Sequence, residues 1–278
     1  VDTKSRDYNV FTGSLGAAWL VNGEWTLRSN IGRGFRAPSF SELYSNGVHG
    51  GIAAFQRGSP NLRQETSLNI EAGADWTNGI VDLSATVYQN RFSDYIYLAN
   101  TNETHGPTGL PIYQYQQANA RLRGIELGGQ WHINQQLSVK ASYDAVRGKL
   151  TATGDQLPLM PADSLTARVD YLLPSLGGWQ KPHAWAAVRH VFSQDAAGRY
   201  EPYSQFDNNS FGTASTDSYT LFSMGGGVSR KIGKDLYLKV DLRIDNLFDE
   251  DYRDFLDTYK GYAMSQGRNA QLNMSIAF

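Results

Sequence analysis

The chain has 278 residues, a formal net charge of −2, 41% hydrophobic and 19% charged residues, 28 Gly, 16 Tyr and no Cys. The near-neutral balance argues against a nucleic-acid partner, the lack of cysteine excludes disulfides and thiolate metal sites, and no run approaches the roughly eighteen apolar residues of a membrane helix. A mean hydropathy of −0.44 is that of a water-soluble protein, but a membrane β-barrel escapes that measure because only alternate residues face lipid.

Period-two alternation predicts about eleven strands. The first, near 6–20, puts Phe11, Leu15, Ala17 and Trp19 on one face and turns at Asn22-Gly23. The second places Trp25, Leu27 and Ile31 together and runs into a loop, and the third resumes with Leu68, Ile70, Ala72, Ala74 and Trp76. A loop of roughly thirty residues between two strands is far longer than ordinary connections and is usually functional or disordered. It carries Pro38, Gly47, Gly50, Gly51, Gly58 and Pro60, which speak against a hidden strand or a long helix. It also holds His49.

Asn78-Gly79 is a type I′ hairpin signal, and the fourth strand sets Val81, Leu83, Ala85 and Val87 against Asp82, Ser84, Thr86 and Tyr88. A Thr-, Gly- and Pro-containing loop, 100–111, with His105 leads to a fifth strand that ends in Ile125, Leu127, Gly129 and Trp131. The sixth alternates Leu137, Val139, Ala141 and Tyr143 with polar residues, and the seventh does the same with Leu165, Ala167, Val169 and Tyr171. The eighth, around 183–192, is open in its facing, since Arg189 and His190 fall on opposite sides. After a polar loop, 194–216, the ninth covers 219–230. The tenth opposes Leu236, Leu238, Val240, Leu242 and Ile244 to Tyr237, Lys239, Asp241, Arg243 and Asp245, and the last runs from Asn269 to Phe278.

Connections alternate long and short, as in outer-membrane barrels with long outer loops and short periplasmic turns. All six Trp lie near the short turns, where an amphipathic indole suits the headgroup level. Backbone in hydrocarbon must be paired within the protein, so only helices or a closed sheet can span. The fold class expected is therefore all-β, a transmembrane antiparallel barrel of about eleven strands.

RGFRAPSFSELY (33–44) followed by SPNLRQETS (59–67) resembles the barrel signature of TonB-dependent outer-membrane receptors, with Ser59 and Gln64 in place of Asn and Pro. NLFDEDY (246–252) and GRNAQLNMSIAF (267–278) are similar to the ending of the same family, with Gln266 where Pro is usual. Within it, SNGVH (45–49) is similar to zinc-uptake receptors of the ZnuD kind. The resemblance implies a barrel of about twenty-two strands of which residues 1–278 are the C-terminal half. The plug domain would then lie outside this chain, and both edges of the half-barrel would stay open without the rest. It implies localisation in the outer membrane of a Gram-negative bacterium and active import of a scarce nutrient: a metal ion, metal chelate or haem, with zinc favoured. It implies energy coupling through TonB, contact with outer-membrane lipid, and reading of the terminal Phe278 by the barrel assembly machinery. A passive porin, or a barrel enzyme, is the alternative.

For a metal the candidates are His49 and Glu42, the imidazole brought down by the flanking glycines and the carboxylate supplying an oxygen ligand. An imidazole alone on an exposed loop is ordinarily just solvated, since zinc needs three or four ligands. No second His follows at a ligand spacing, so the plug would supply the rest, as the resemblance implies. Arg33, Arg36 and Glu42 are either paired structural charges or a charged lumen wall. His132 and His183 lie near short turns, and His190 is left open. The acidic run Asp249-Glu250-Asp251 with Asp254 and Asp257 reads as a solvated outer loop. No GxSxG or phosphate-binding loop occurs, so no enzymatic activity and no intrinsic cofactor is expected.

Overall fold

The computed structural model describes residues 7–52, 54–196, 215–257, 260 and 263–277. Its strands are β1 (Gly13–Leu20), β2 (Trp25–Arg36), β3 (Asn46–His49), β4 (Ala54–Arg57), β5 (Glu65–Thr77), β6 (Val81–Thr104), β7 (Pro111–His132), β8 (Leu137–Leu150), β9 (Ser164–Leu172), β10 (Trp179–Val191), β11 (Tyr219–Lys231), β12 (Tyr237–Asp245) and β13 (Asn269–Ala277). A short helix, α1 (Phe40–Tyr44), precedes β3. Eleven strands form one meander in the order β1-β2-β5-β6-β7-β8-β9-β10-β11-β12-β13, each antiparallel to its neighbour. β1 and β13 are its two edges and do not pair with each other. Phe278 lies outside the described residues.

Alternation of side chains across a strand makes the register decide what each face carries. Along β12, Leu238, Val240 and Leu242 stand opposite Ile276, Met274 and Leu272, while Val228 of β11 stands opposite Val240 on the other side. Between these rungs Lys239, Asp241 and Arg243 meet Ser275, Asn273 and Gln271. The same rule runs through the sheet: Ile31 meets Ile70, Ala85 meets Leu127, and Ala141 meets Ala167. One face is therefore aliphatic and aromatic, the other polar. Leu272, Met274 and Ile276 are more than half exposed, and an apolar surface of that extent has no counterpart on a water-soluble monomer.

Long and short connections alternate as expected. At the short-turn end Trp25 faces Trp76 across β2 and β5 with ring centres 6.4 Å apart. Trp19 meets Leu27 and Trp131 meets Val81, all on the apolar face. Trp185 departs from this girdle. A register shift between Gln180 and His183, with Lys181 at φ 50°, puts it opposite Asp170 on the polar face. There the Arg168 guanidinium lies 4.2 Å from its ring centre. His190 falls on the apolar face opposite Leu165, its Nδ1 2.9 Å from Thr220 Oγ1, while Arg189 belongs to the polar face. That settles the facing left open by the sequence.

Two expectations need correction. The loop after β2 does contain strands: β3 and β4 pair antiparallel from Asn46↔Arg57 to His49↔Ala54, because glycine at the ends of so short a hairpin does not prevent pairing. β4 then adds parallel to β7, Phe55 to Ile112 and Arg57 to Gln114, so tertiary contact, not local propensity, makes it a strand. The expected loop 100–111 is half strand, β6 running to Thr104 and β7 starting at Pro111. β6 has 24 residues and β7 has 22, roughly twice the 9–11 residues needed to cross a bilayer. Their outer halves project as a hairpin. A bulge between Phe92 and Tyr95, with Asp94 at φ 58°, marks the start of the projection; Asp is one of the few residues that tolerates that backbone.

Most of the buried hydrophobic side chains gather around this projecting hairpin. One face, with Tyr97, Ala99 and Ala120, packs Leu150 and Leu157. The other, with Ile96, packs Leu43 of α1 and Leu62, and Tyr113 packs Ala54 of β4.

Candidate functional site: the loop between β2 and β5

Arg36, the last residue of β2, is registered opposite Glu65, the first of β5. Its guanidinium donates from Nη1 to both oxygens of Glu42, at 2.9 and 2.8 Å, and from Nη2 to Glu65 Oε2 at 3.1 Å. Glu65 is buried, 8% exposed, and the same oxygen accepts the Ile96 N–H at 2.9 Å. Glu42 in turn closes a capping box: Ser39 N–H donates to its Oε2 at 2.6 Å and Glu42 N–H donates to Ser39 Oγ at 3.2 Å. That reciprocal pair satisfies two orphan donors of α1. Burial opposes the charge on Glu42, but the hydrogen bonds from Arg36 and Ser39 hold its carboxyl below the usual carboxylate range.

These three residues tie the two halves of the receptor-like signature together. Arg36 and Glu42 come from the first half and Glu65 from the second, and they clamp both ends of the loop to β6. Their pairing supports the structural one of the two readings left open for Arg36 and Glu42. Arg33 does not join them. It shares the apolar face with Ile31 and Phe35, opposite Leu68, so it is not part of a polar wall.

The loop's return path is equally tight. Gly58 N–H donates to Ser45 O at 2.6 Å and Ser59 N–H to Glu42 O at 2.9 Å. A Cβ on Gly58 would lie 2.5 Å from Tyr44 N and 2.6 Å from the Leu43 carbonyl. These are backbone atoms, so Gly58→Ala must push β4 off α1. We expect a cost of about 1–2 kcal/mol to loop docking, read as increased protease cleavage within 45–58 while the barrel band on a gel is unchanged.

His49 ends β3 with an exposed side chain. Glu42 is already occupied by Arg36 and Ser39, as described, and would have to give up Arg36 to take a metal. Among the described residues no group of three or more His, Cys, Asp and Glu side chains stands ready to hold a metal. His105 is brought to the same loop assembly: its ring stacks on Phe55 of β4 with centres 3.8 Å apart, and its Nδ1 lies 2.9 Å from Thr108 Oγ1. The acidic segment after β12 uses some of its groups internally. Asp249 Oδ1 accepts Arg268 N–H at 2.7 Å, and Asp254 accepts the Tyr219 hydroxyl at 2.8 Å. Asn246 bridges Glu250 N–H and Glu250 O at 2.8 and 2.9 Å.

Ser39 and Glu65 were the residues sequence reasoning passed over. The Ser-x-x-Glu spacing at 39–42 was the available signal.

A two-faced antiparallel meander with long loops at one end and short turns at the other is the wall of a transmembrane β-barrel. The chain belongs to the TonB-dependent receptor β-barrel family: the family described as "TonB dependent receptor-like, beta-barrel" matches residues 1–247. Its members are Gram-negative outer-membrane barrels. The chain is 26% identical over 298 residues to the "Heme/hemopexin utilization protein C" of Haemophilus influenzae (strain 86-028NP), covering 100% of this chain and 39% of that protein. It is 29% identical over 243 residues to the "Vitamin B12 transporter BtuB" of Photobacterium profundum, covering 87% of this chain and 34% of that one. Among solved structures it superposes on the "Copper transporter OprC" with a TM-score of 0.70 at 19% identity, over 92% of this chain and 37% of the other. A mutant of the ferric enterobactin receptor PfeA from Pseudomonas aeruginosa, in complex with enterobactin, gives 0.66 at 19% identity, over 95% and 40%. The chain thus spans between about a third and two fifths of the length of these relatives.

Proposed function

We propose that this chain is the C-terminal part of an outer-membrane receptor that imports a scarce, metal-bearing nutrient, with TonB supplying the driving force through a plug in the complete protein. The observation that carries the reading is the loop clamped by Arg36 at the mouth of an eleven-stranded wall: a built outer structure is of use to a receptor that captures cargo, whereas an open pore needs none. The relatives' named cargoes support the class. Haem, vitamin B12, copper and ferric enterobactin have a metal in common. The apolar face then meets lipid, the polar face lines the lumen, and the other strands of a barrel of about twenty-two close the two edges. Uptake of radiolabelled or coloured cargo by cells producing the full-length receptor, with and without TonB, tests the reading. TonB-independent entry would replace it with a porin.

Within this reading His49 is the proposed cargo contact, to zinc directly or to the metal of a chelate. Neutral imidazole is the form that ligates such a metal, through one ring nitrogen. His49→Ala in the full-length receptor should weaken zinc or haem binding at least about tenfold, measured by calorimetry at pH 7.5. Unchanged affinity for both would return His49 to an ordinary solvated side chain.

A further inference from the structure

We propose that the rim of the apolar face next to the long loops binds phosphate-bearing lipid headgroups. The register lines up cations there on four of five adjacent strands, β2, β6, β7 and β8. Arg33 of β2 stands opposite Leu68, Leu68 opposite Arg91, Arg91 opposite Arg121, and Arg121 opposite Lys149. One rung nearer the short turns, Arg123 stands opposite Gln89 and Arg147. Residues directly opposite each other project to the same face, and this is the face that continues below as Leu83, Val87, Ile125 and Leu127. The cations therefore form a belt directly above the apolar band, at the depth where headgroups begin.

Folding alone does not account for the belt. Like charges directly opposite each other destabilise a sheet, yet Arg91, Arg121 and Lys149 occupy three neighbouring strands on one rung. Arg147 is neutralised by Asp163, at 2.5 and 2.8 Å, and Arg123 donates to Gln89 Oε1 at 2.8 Å. Among the described residues Arg33, Arg91, Arg121 and Lys149 have no carboxylate partner, and Arg33, Arg91 and Lys149 are exposed. Arg91 and Arg121 line a groove of about 300 Å³ together with Ser93, Asn119 and Thr151. Guanidinium forks with neighbouring hydroxyl and amide groups suit the oxygens of a phosphate monoester. The groove opens onto a surface that only acyl chains would cover. A phosphorylated lipid, headgroup in the belt and tails along β5–β8, satisfies both halves of the surface; a soluble anion satisfies one.

The inference rests on the membrane placement proposed above, and its test reads lipid rather than cargo. Full-length receptor is titrated with zwitterionic vesicles containing a diphosphorylated glycolipid, or its dephosphorylated twin. The belt variant replaces Arg33, Arg91, Arg121 and Lys149 with Gln. A matched variant replaces Lys181, Arg230, Lys231 and Lys234 at the short-turn end, and the heat-modifiable gel shift checks that each has folded. The phosphorylated lipid should bind the native receptor and the matched variant at least about tenfold more tightly than the belt variant, and loss of its phosphates should abolish the difference. Equal binding by the belt variant, or full displacement of the lipid by inorganic phosphate at the same concentration, would overturn the proposal. A receptor that binds lipid through the belt but imports nothing would leave this inference standing and remove the transport reading.

Discussion

Val240→Arg should cost about 2–4 kcal/mol of folding stability in lipid, the range for a cation placed near the bilayer midplane on the outward face of a barrel. Val240 sits in the middle of β12 with Val228 on one side and Met274 on the other. A guanidinium there would have no partner on its own face: Val228 and Met274 flank it, and Arg230, diagonal to it, is itself a cation. The next residue answers oppositely. Asp241 is opposite Gly227 and Asn273 on the polar face, with its Oδ1 3.8 Å from His183 Nε2, so Asp241→Asn should be nearly silent. Refolding of the two variants of the full-length receptor into lipid, followed by denaturant titration, makes the comparison. Equal losses would mean that the two faces have been assigned wrongly.

Arg36→Ala should release the loop rather than the barrel. It removes the cation shared by Glu42 and Glu65 and leaves two carboxylates facing each other beside the buried Ile96 N–H. Breaking a fully buried pair costs about 3–5 kcal/mol; Arg36 is 43% exposed, so we expect about 2–3 kcal/mol, with hydrogen exchange rising across 37–64. The pH response gives the signature. In the native protein the Glu42 carboxyl is held below its ordinary range, so its contribution is complete above about pH 4.3. It is lost as pH falls through the lowered value. In the variant the Ser39 N–H still favours the Glu42 carboxylate but the Arg36 contribution is gone and burial still opposes the charge, so acidification should loosen the loop less than it does in the native protein. Identical exchange in native and variant proteins at neutral pH would show that the clamp holds nothing.

The meander was legible because a sheet with one apolar and one polar face writes a period of two into every strand, and β12 shows it without exception. What escaped were the places where the period slips. At Asp94 and near Lys181 one added residue inverts the faces beyond it; in a sequence that looks like a lapse in the pattern. Trp185 was placed in the girdle for that reason. β3 and β4 escaped because four-residue strands flanked by glycine acquire their partners only through the packing of Ala54 on Tyr113 and the parallel pairing with β7. The clamp was half legible: Ser39-x-x-Glu42 is a readable cap, but nothing local says that Glu65, more than twenty residues on, shares the same guanidinium. His49 lies where the sequence put it, on the loop, but its neighbours cannot be inferred from spacing.

The distribution of buried side chains divides the molecule into two materials. Between the Trp girdle and the cation belt the sheet has almost no interior of its own, and its cohesion is backbone pairing within a solvent of acyl chains. Beyond the bulge at Asp94, Leu43, Leu62, Ile96, Tyr97, Tyr113 and Leu157 are withdrawn from water, so that tier is held by hydrophobic burial and carries its large heat-capacity signature. The tiers therefore obey different temperature laws. Cooling weakens the driving force for the projecting tier while leaving the pairing of the wall largely untouched, so the wall can persist through conditions in which the tier above it has come apart.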